Sequence, residues 1–472
     1  MIDLWSCVCV VLLLWYAAIL MVAVVGVTEL LFNYTTQKFF TLDKSEYEPV
    51  TILRPIKGID PELETCLECS FQQAYAVNAL EVILCVDSAA DESMPILKRL
   101  IAKYPEVDAK ILVSPTDNHG NSVDHFGPNP KVNNLAKGFL AAKYDIVWIM
   151  DSNVWGHPNL LVNSIKSLNH NLVDGGRTNW TWGPSAGRKV KLVHHVPLAM
   201  SITAQSSLWD KLGVKLDETF LFSSHCKFYV GLNKLSPAPC VNGKSNMFRR
   251  SDLDEAVARI PNANNPFFSD PSVKLHAQQL ASEGPGHSLK FFSKYIGEDN
   301  MIAIALWEFL FSRTSLTSDV VIQPLNKSET SKHGIVEFFK RRIRWLRVRK
   351  YMVYSATLVE PTTESIVNGV FGTLSISYLM FGEVFIKKFF MLHMILWYLS
   401  DTCQYRMLMS RIESYARPVW FSCQFNWYEW TCVWMLREVF ALPIWIIAML
   451  GHEIDWRGRP FRIKPDLTAE EL

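Results

Sequence analysis

Apolar positions fall along the chain in three regimes. From Leu4 to Phe32 the only charge is Glu29, and Cys7–Val27 is almost wholly apolar. About 20 such residues span a bilayer. With Asp3 and no Lys or Arg ahead of it, the segment lacks the basic start of a cleaved signal peptide, so residues 1–33 read as a retained anchor. Between Asp43 and Ser355 nothing is apolar enough to cross, and strand and helix periodicities alternate instead. A second apolar regime covers residues 366–450. Its first part, Ile366–Leu399, is broken by Glu383, Lys387 and Lys388, and its second, Thr431–Leu450, by Arg437 and Glu438. Charges there are expensive in lipid and are expected to face protein, water or headgroups. Two C-terminal crossings are the reading, with re-entrant or interfacial helices as the competing one. Lys38 and Lys44 follow the anchor, and the tail, residues 451–472, carries Arg457, Arg459, Arg462 and Lys464; the positive-inside rule puts the 43–355 domain and the tail in the cytosol.

Within 43–355, Thr51–Leu53, Leu80–Val86, Ala109–Val113 and Ile146–Met150 read as strands. Pro61–Gln73, Met94–Tyr104 and Val132–Lys143 read as the helices between them. Such alternation predicts an α/β fold, a parallel sheet with helices on both faces. Ligands of these sheets sit beyond the carboxyl ends of the strands. There Val86 leads into Asp87 and Asp91, and Met150 into Asp151-Ser152-Asn153. Two stretches rich in breakers, Asn169–Arg188 around Trp180 and Trp182 and Asn262–Ser288, read as mobile surface loops. The sequons at Asn33, Asn179 and Asn326 would stay unmodified in the cytosol.

Composition changes this picture little. Hydrophobic residues make up 49%, rich for a soluble enzyme, and the formal net charge of +1 points to no nucleic-acid partner. Local charge matters more. Lys340–Lys350 holds seven basic residues in eleven, and Phe338, Phe339, Ile343 and Leu346 make the stretch amphipathic, so 337–355 reads as an interfacial helix. On it Arg341, Arg344 and Trp345 share one face, and two guanidiniums suit phosphate oxygens. The ten cysteines form no framework, and the lone Cys66/Cys69 pair reads as packing. Asp151 stands where a carboxylate can hold Mg2+ or Mn2+ against two phosphates, unless it only ties down its own turn. Lys131 and Asn134 open a helix, a natural anion site, with capping as the plainer alternative. Glu298 and Asp299 precede the apolar helix Met301–Phe311, where acids also complement the macrodipole.

Taken in order, Asp91, Asp151, Glu298-Asp299 and Arg341-x-x-Arg344-Trp345 resemble the D, D, D, (Q/R)xxRW pattern of membrane-bound, inverting glycosyltransferases with the GT-A fold. Within that group the sequence is most similar to the ceramide glucosyltransferases of fungal type. The matching stretches are Arg54–Asp60, Leu84–Val86, Asn129–Leu135, Trp148–Ser152, Leu192–His194, Tyr295–Asp299, Arg341–Trp345 and, in the tail, Trp456–Arg459 with Leu467–Glu471. The resemblance implies UDP-glucose as donor, ceramide in the bilayer as acceptor, a divalent cation, and residence in the Golgi or endoplasmic reticulum membrane. It implies roles as well. Asp91, with Asp87 beside it, orients the donor; Asp151 holds the metal; Lys131 and Asn134 contact the donor. Arg341 and Arg344 neutralise the diphosphate, and Trp345 covers the acceptor channel. Asp299 is the general base, with Glu298 and His194 close by. A processive polysaccharide synthase shares the motif but needs more spans. A channel or transporter with a cytosolic domain has no use for strand-end carboxylates.

Overall fold

The computed structural model describes residues 4–34, 47–117, 122–169, 172–173, 177–178, 183–202, 208–326, 334–414, 418, 420–421, 425–456, 459–464 and 466–472. Lys38, Lys44, Asn179, Trp180, Trp182 and Arg457 lie outside the described residues.

Eight strands build the main sheet: β1 (Val50–Ile56), β2 (Leu80–Val86), β3 (Asp108–Val113), β4 (Ile146–Met150), β5 (Trp155–Gly156), β6 (Lys189–Ser201), β7 (Ser245–Arg249) and β8 (Ser312–Leu325). Their order is β3-β2-β1-β4-β7-β6-β8-β5. The first four are mutually parallel, β7 runs antiparallel between β4 and β6, and β8 is parallel to β6. β2 and β4 are buried along their whole length, the reason each reads as an unbroken apolar run.

The helices are α1 (Leu4–Asn33), α2 (Leu63–Glu68), α3 (Met94–Lys103), α4 (Pro130–Ala141), α5 (Leu160–Asn169), α6 (Leu208–Phe220), α7 (Cys226–Leu235), α8 (Arg250–Arg259), α9 (Pro271–Glu283), α10 (Glu298–Phe309), α11 (Gly334–Met352), α12 (Tyr354–Leu358), α13 (Ser365–Phe381), α14 (Lys387–Ser414) and α15 (Trp427–Leu450). A π-turn, Leu221–His225, joins α6 to α7.

Two expectations are corrected. The helix expected over Pro61–Gln73 is only α2, six residues long. The fully buried Arg54 guanidinium takes the Cys66 carbonyl at 2.8 Å, and the carbonyls of Ser152 and Val154 at 3.1 and 2.9 Å, which ends the turn early. Cys66 and Cys69 pack around that guanidinium, and burial pushes both thiols up, so they act as packing residues. Asn262–Ser288 is not a loop but folds around α9. The Asp270 side chain caps that helix at the Ser272 amide, 2.8 Å, and Val273, Ala277 and Leu280 enter the core.

The C-terminal charges also find places. Glu383 lies in the turn between α13 and α14, and Lys387 and Lys388 open α14, so the broken apolar run is a helical hairpin. Arg437 and Glu438 face protein: Arg437 donates to Glu364 at 2.7 Å, and Glu438 accepts from the Ser365 amide at 2.9 Å. α1 leans on α7, where a Cβ on Gly26 would meet the Lys227 carbonyl oxygen at 2.0 Å. After α15 the tail forms a three-stranded sheet, β9 (Glu453–Trp456), β10 (Arg459–Ile463) and β11 (Ala469–Glu471). Its Ile454, Phe461 and Ile463 pack on Ile296, Val348 and Tyr351.

Candidate active site

The ends of β1 and β2 form one lip of the site. Gly58, in the turn after β1, adopts φ 66°, a conformation that suits glycine. Its amide donates to Asp91 at 2.9 Å, and Ser93 donates to Asp91 through its amide (2.9 Å) and hydroxyl (2.6 Å). Burial raises the Asp91 pKa, but these bonds outweigh it and the net shift is downward. Asp91 therefore clasps the two strand-end turns together. Half-buried Asp87 faces the ammonium of Lys137, which also binds Ser114 Oγ (2.8 Å) and Asn134 Oδ1 (2.7 Å). The Asn134 amide ties the Ile56 and Cys85 carbonyls at 3.1 and 2.9 Å, a strap across the carboxyl ends of β1 and β2.

The centre is a knot of charge. α4 starts at Asn129, whose side-chain oxygen accepts from the Lys131 and Val132 amides and whose NH2 donates to Glu298 at 2.9 Å. This fixes Lys131, whose ammonium lies 2.8 Å from Asp151, 3.0 Å from Glu298 and 2.9 Å from the Gly243 carbonyl. Lys244 holds the other Asp151 oxygen at 3.1 Å. Burial works to raise the Asp151 pKa, yet the two ammoniums win and bring it to about 2. Asp299 goes the other way. Burial first, then the Glu298 carboxylate, lift it to about 7, against the pull of Lys131. Gly243 stands directly opposite: a Cβ there would lie 3.3 Å from both Asp299 Oδ2 and Lys131 Nζ.

The far wall comes from α7 and α11. His194 is fully buried and shares a 2.6 Å hydrogen bond with the Tyr229 hydroxyl; burial drives the imidazole down to about 3. The Tyr229 phenol also takes a hydrogen bond from the Asn242 amide, and burial with the nearby Asp299 charge raises it. His225 stacks on Tyr229 (centroids 5.3 Å) and lies 6.4 Å from Trp345. On α11, Val348 and Met352 pack against Gly297, next to Glu298 and Asp299. At 100° per residue, Arg341, Arg344 and Trp345 fall on that same face. Arg341 pairs with the buried Asp217 of α6, Arg344 reaches the Asp455 carbonyl at 3.5 Å, and Trp345 meets Phe220. The Arg341 Nε has no hydrogen-bond partner among the described residues.

The residues singled out in the sequence thus form one central group (Lys131, Asp151, Glu298, Asp299), a lip (Asp87, Asp91, Asn134), and a wall carrying Trp345 and His194. Lys244, Tyr229, His225 and Lys137 were missed. Only Lys244 had a local signal, the Asn242-Gly243 turn ahead of a strand. As for a metal, Asp151 and the Asn153 side-chain oxygen offer two hard ligands, both now near Lys244. Among the described residues no group of three or more His, Cys, Asp or Glu could hold an ion. That donor set fits a cation that keeps waters and takes substrate phosphates, the habit of Mg2+, rather than a closed protein cage.

A mainly parallel sheet with two reversed strands, β7 within it and the short β5 at its edge, and carboxylates and lysines gathered at the strand ends, define the class: a nucleotide-sugar glycosyltransferase with a GT-A type fold. The chain belongs to glycosyl transferase family 21, whose family model matches residues 15–175 and 272–469. It is 49% identical to the ceramide glucosyltransferase of Candida albicans over 98% of this chain and 97% of that one. The ceramide glucosyltransferase of Komagataella phaffii is 47% identical over 98% and 91%, against 25% for ceramide glucosyltransferase 1 of Caenorhabditis elegans over 88% and 71%; the chain is of the fungal type. A mannosyltransferase of Pyrobaculum calidifontis solved with GDP-mannose and Mn2+ aligns at 14% identity over 95% of this chain and 98% of that one, TM-score 0.39.

Proposed function

We propose that the protein transfers glucose from UDP-glucose to the primary hydroxyl of ceramide, with inversion, at the cytosolic face of the Golgi or endoplasmic reticulum membrane. The observation that carries the chemistry is Asp299, a carboxyl lifted to about 7 beside a lysine and two acids. A base with a pKa near the working pH accepts a proton most usefully. The acceptor oxygen attacks the anomeric carbon as its proton passes to Asp299. The bond from that carbon to the diphosphate oxygen breaks, and the electron pair leaves with UDP. Protonation removes the Asp299 charge from the neighbourhood of Glu298 and Asp151, so the environment that raises the pKa also favours this step.

Lys131 and Lys244 bring positive charge to Asp151, where the diphosphate would lie, and the unpartnered Nε of Arg341 supports a second phosphate contact. A divalent cation held by Asp151 would neutralise charge on the leaving diphosphate. Asp91 and Asp87 would order the nucleoside end, and Trp345 with Tyr229 and His194 the acceptor end. The test is to give the detergent-solubilised protein ceramide with UDP-glucose or UDP-galactose, with and without EDTA. Glucosylceramide from UDP-glucose, suppressed by EDTA, is the expected product. Ceramide left untouched with every UDP-sugar would overturn the assignment.

A further inference from the structure

Among the described residues two helices are long and apolar enough to cross a membrane, α1 and α15, but the company they keep differs. α15 lies alongside α11. Phe440 packs on Phe339 with centroids 5.1 Å apart, Arg347 donates to the Ile447 carbonyl at 3.1 Å, and Lys350 donates to the Met449 carbonyl at 2.9 Å. Its first turn is also held by the catalytic domain, through the Glu429–Lys211 ion pair at 2.7 Å. If α15 crossed a bilayer, α11 would be dragged into hydrocarbon with the seven basic residues of Lys340–Lys350. Each such residue costs about 2.5–3.5 kcal/mol or more at the bilayer centre, far beyond what one apolar helix returns.

The free side of α15 is nevertheless apolar. Met435, Val439, Leu442, Ile446 and Leu450 are exposed by 41–79% and recur at steps of four, three, four and four, one stripe along the helix. The α13–α14 hairpin meets the catalytic domain at its base, where Asp401 pairs with Lys227 of α7, while its outer part is apolar and exposed. Met380, Leu392, Ile395 and Leu396 are more than half exposed, and the hairpin runs beside α1, with Trp5 against Tyr378 at 6.2 Å near its tip. Seventeen residues of α13 rise ~26 Å, close to the ~30 Å of a hydrocarbon core.

We propose that the bilayer is crossed by α1 and the α13–α14 hairpin, while α15 lies in the membrane plane with its Met435–Leu450 stripe in the lipid. This rests on the membrane part of the preceding reading and not on the sugar or the acceptor. It agrees with the tail sheet, which follows α15 directly and docks on the catalytic domain. It also sets the acceptor's route. α15 packs on the Phe339–Lys350 face of α11 and Gly297 on the opposite, Val348–Met352 face, so a single helix separates Asp299 from the lipid-facing one.

The experiment uses full-length protein in phosphatidylcholine vesicles with exposed Cys7, Cys403 and Cys432 changed to Ser. Single nitroxide labels go on 435, 439, 442, 446 and 450, with 14 and 396 as span references, and depth is read from collision with oxygen and with a water-soluble nickel complex. The expected result is one shallow depth for all five α15 sites and deep references. A depth profile peaking at Leu442, or α15 labels as wet as bulk solvent beside deep references, overturns the in-plane placement. Wet labels at 14 and 396 as well would instead overturn the membrane reading beneath it.

Discussion

At the scale of single residues, the raised pKa of Asp299 makes stability depend on pH. A carboxyl at about 7 in the folded chain and near 3.9 unfolded binds more protons when folded between those values. Its contribution is therefore favourable at low pH and is lost as pH rises toward 7. Asp299→Asn keeps the shape and removes the repelled charge. The melting temperature should rise relative to the parent at pH 8, by less at pH 5, and change little only near pH 4 or below, while turnover falls by about 10²–10⁴-fold. UDP-glucose affinity should survive, since Lys131, Lys244 and Asp151 are untouched. In the parent, the acid limb of the rate profile should bend near pH 7. Near-normal turnover in the variant would reduce Asp299 to a helix-start acid. Asp91, Asp151 and Asp299 were legible because carboxylates following a strand, or opening an apolar helix, are a local pattern. Lys244 carried no more than its turn and Tyr229 no signal, because the one reaches the site when β7 inserts between β4 and β6 and the other when α7 packs on His194 of β6, pairings no local periodicity encodes.

At the scale of elements, α11 shows how one pattern carries two demands. The i, i+3, i+4 face was readable and does turn toward the start of α10, yet Arg341 is also the partner of Asp217, whose side chain is only 4% exposed. Burial raises that carboxyl and Arg341 opposes the shift. Arg341→Ala should therefore destabilise as well as inactivate, by roughly 3–5 kcal/mol if the pair behaves as a fully buried one. The two effects separate in the Asp217→Asn background, where removing Arg341 strands no charge. Thermal stability should recover there while transfer stays low; recovery of both would mean that Arg341 only holds α6. Element boundaries were misread for a related reason. α2 stops where Arg54 of β1 captures the Cys66 carbonyl, and α9 forms within a polar, breaker-rich stretch because three apolar side chains reach the core. Tertiary partners decided both against local composition.

At the scale of the whole molecule, the composition change near residue 355 is legible, but it does not mark the end of a packing unit. α7, inside the catalytic domain, meets the membrane region through charge: Lys227 lies 2.8 Å from Asp401 of α14, with side-chain exposures of 2% and 0%. The Phe222 and Ser223 carbonyls of the π-turn accept from Gln404, and Ser224 donates to Glu364 at 2.7 Å. The same stretch carries His225 and Tyr229, so the wall proposed for the acceptor and the helices proposed to enter the membrane share one support. A chain ending at 355 would leave Lys227 without its carboxylate and those carbonyls without their donor, and should be recovered aggregated rather than as a soluble enzyme. Substitution gives the finer test. Lys227→Met leaves Asp401 buried with Arg437 at 3.6 Å as its remaining guanidinium, and loss of one partner of a buried pair costs roughly 3–5 kcal/mol. Lys227→Met with Asp401→Asn removes both charges. If the pair exists to register α7 on α14, the double variant should melt above the Lys227→Met single, because no unpaired charge remains, while its ceramide KM stays raised through a loosened wall. A double variant with losses equal to the sum of the singles would show that the two side chains act independently, and the coupling of wall to membrane would have to run through Gln404 and Glu364 instead.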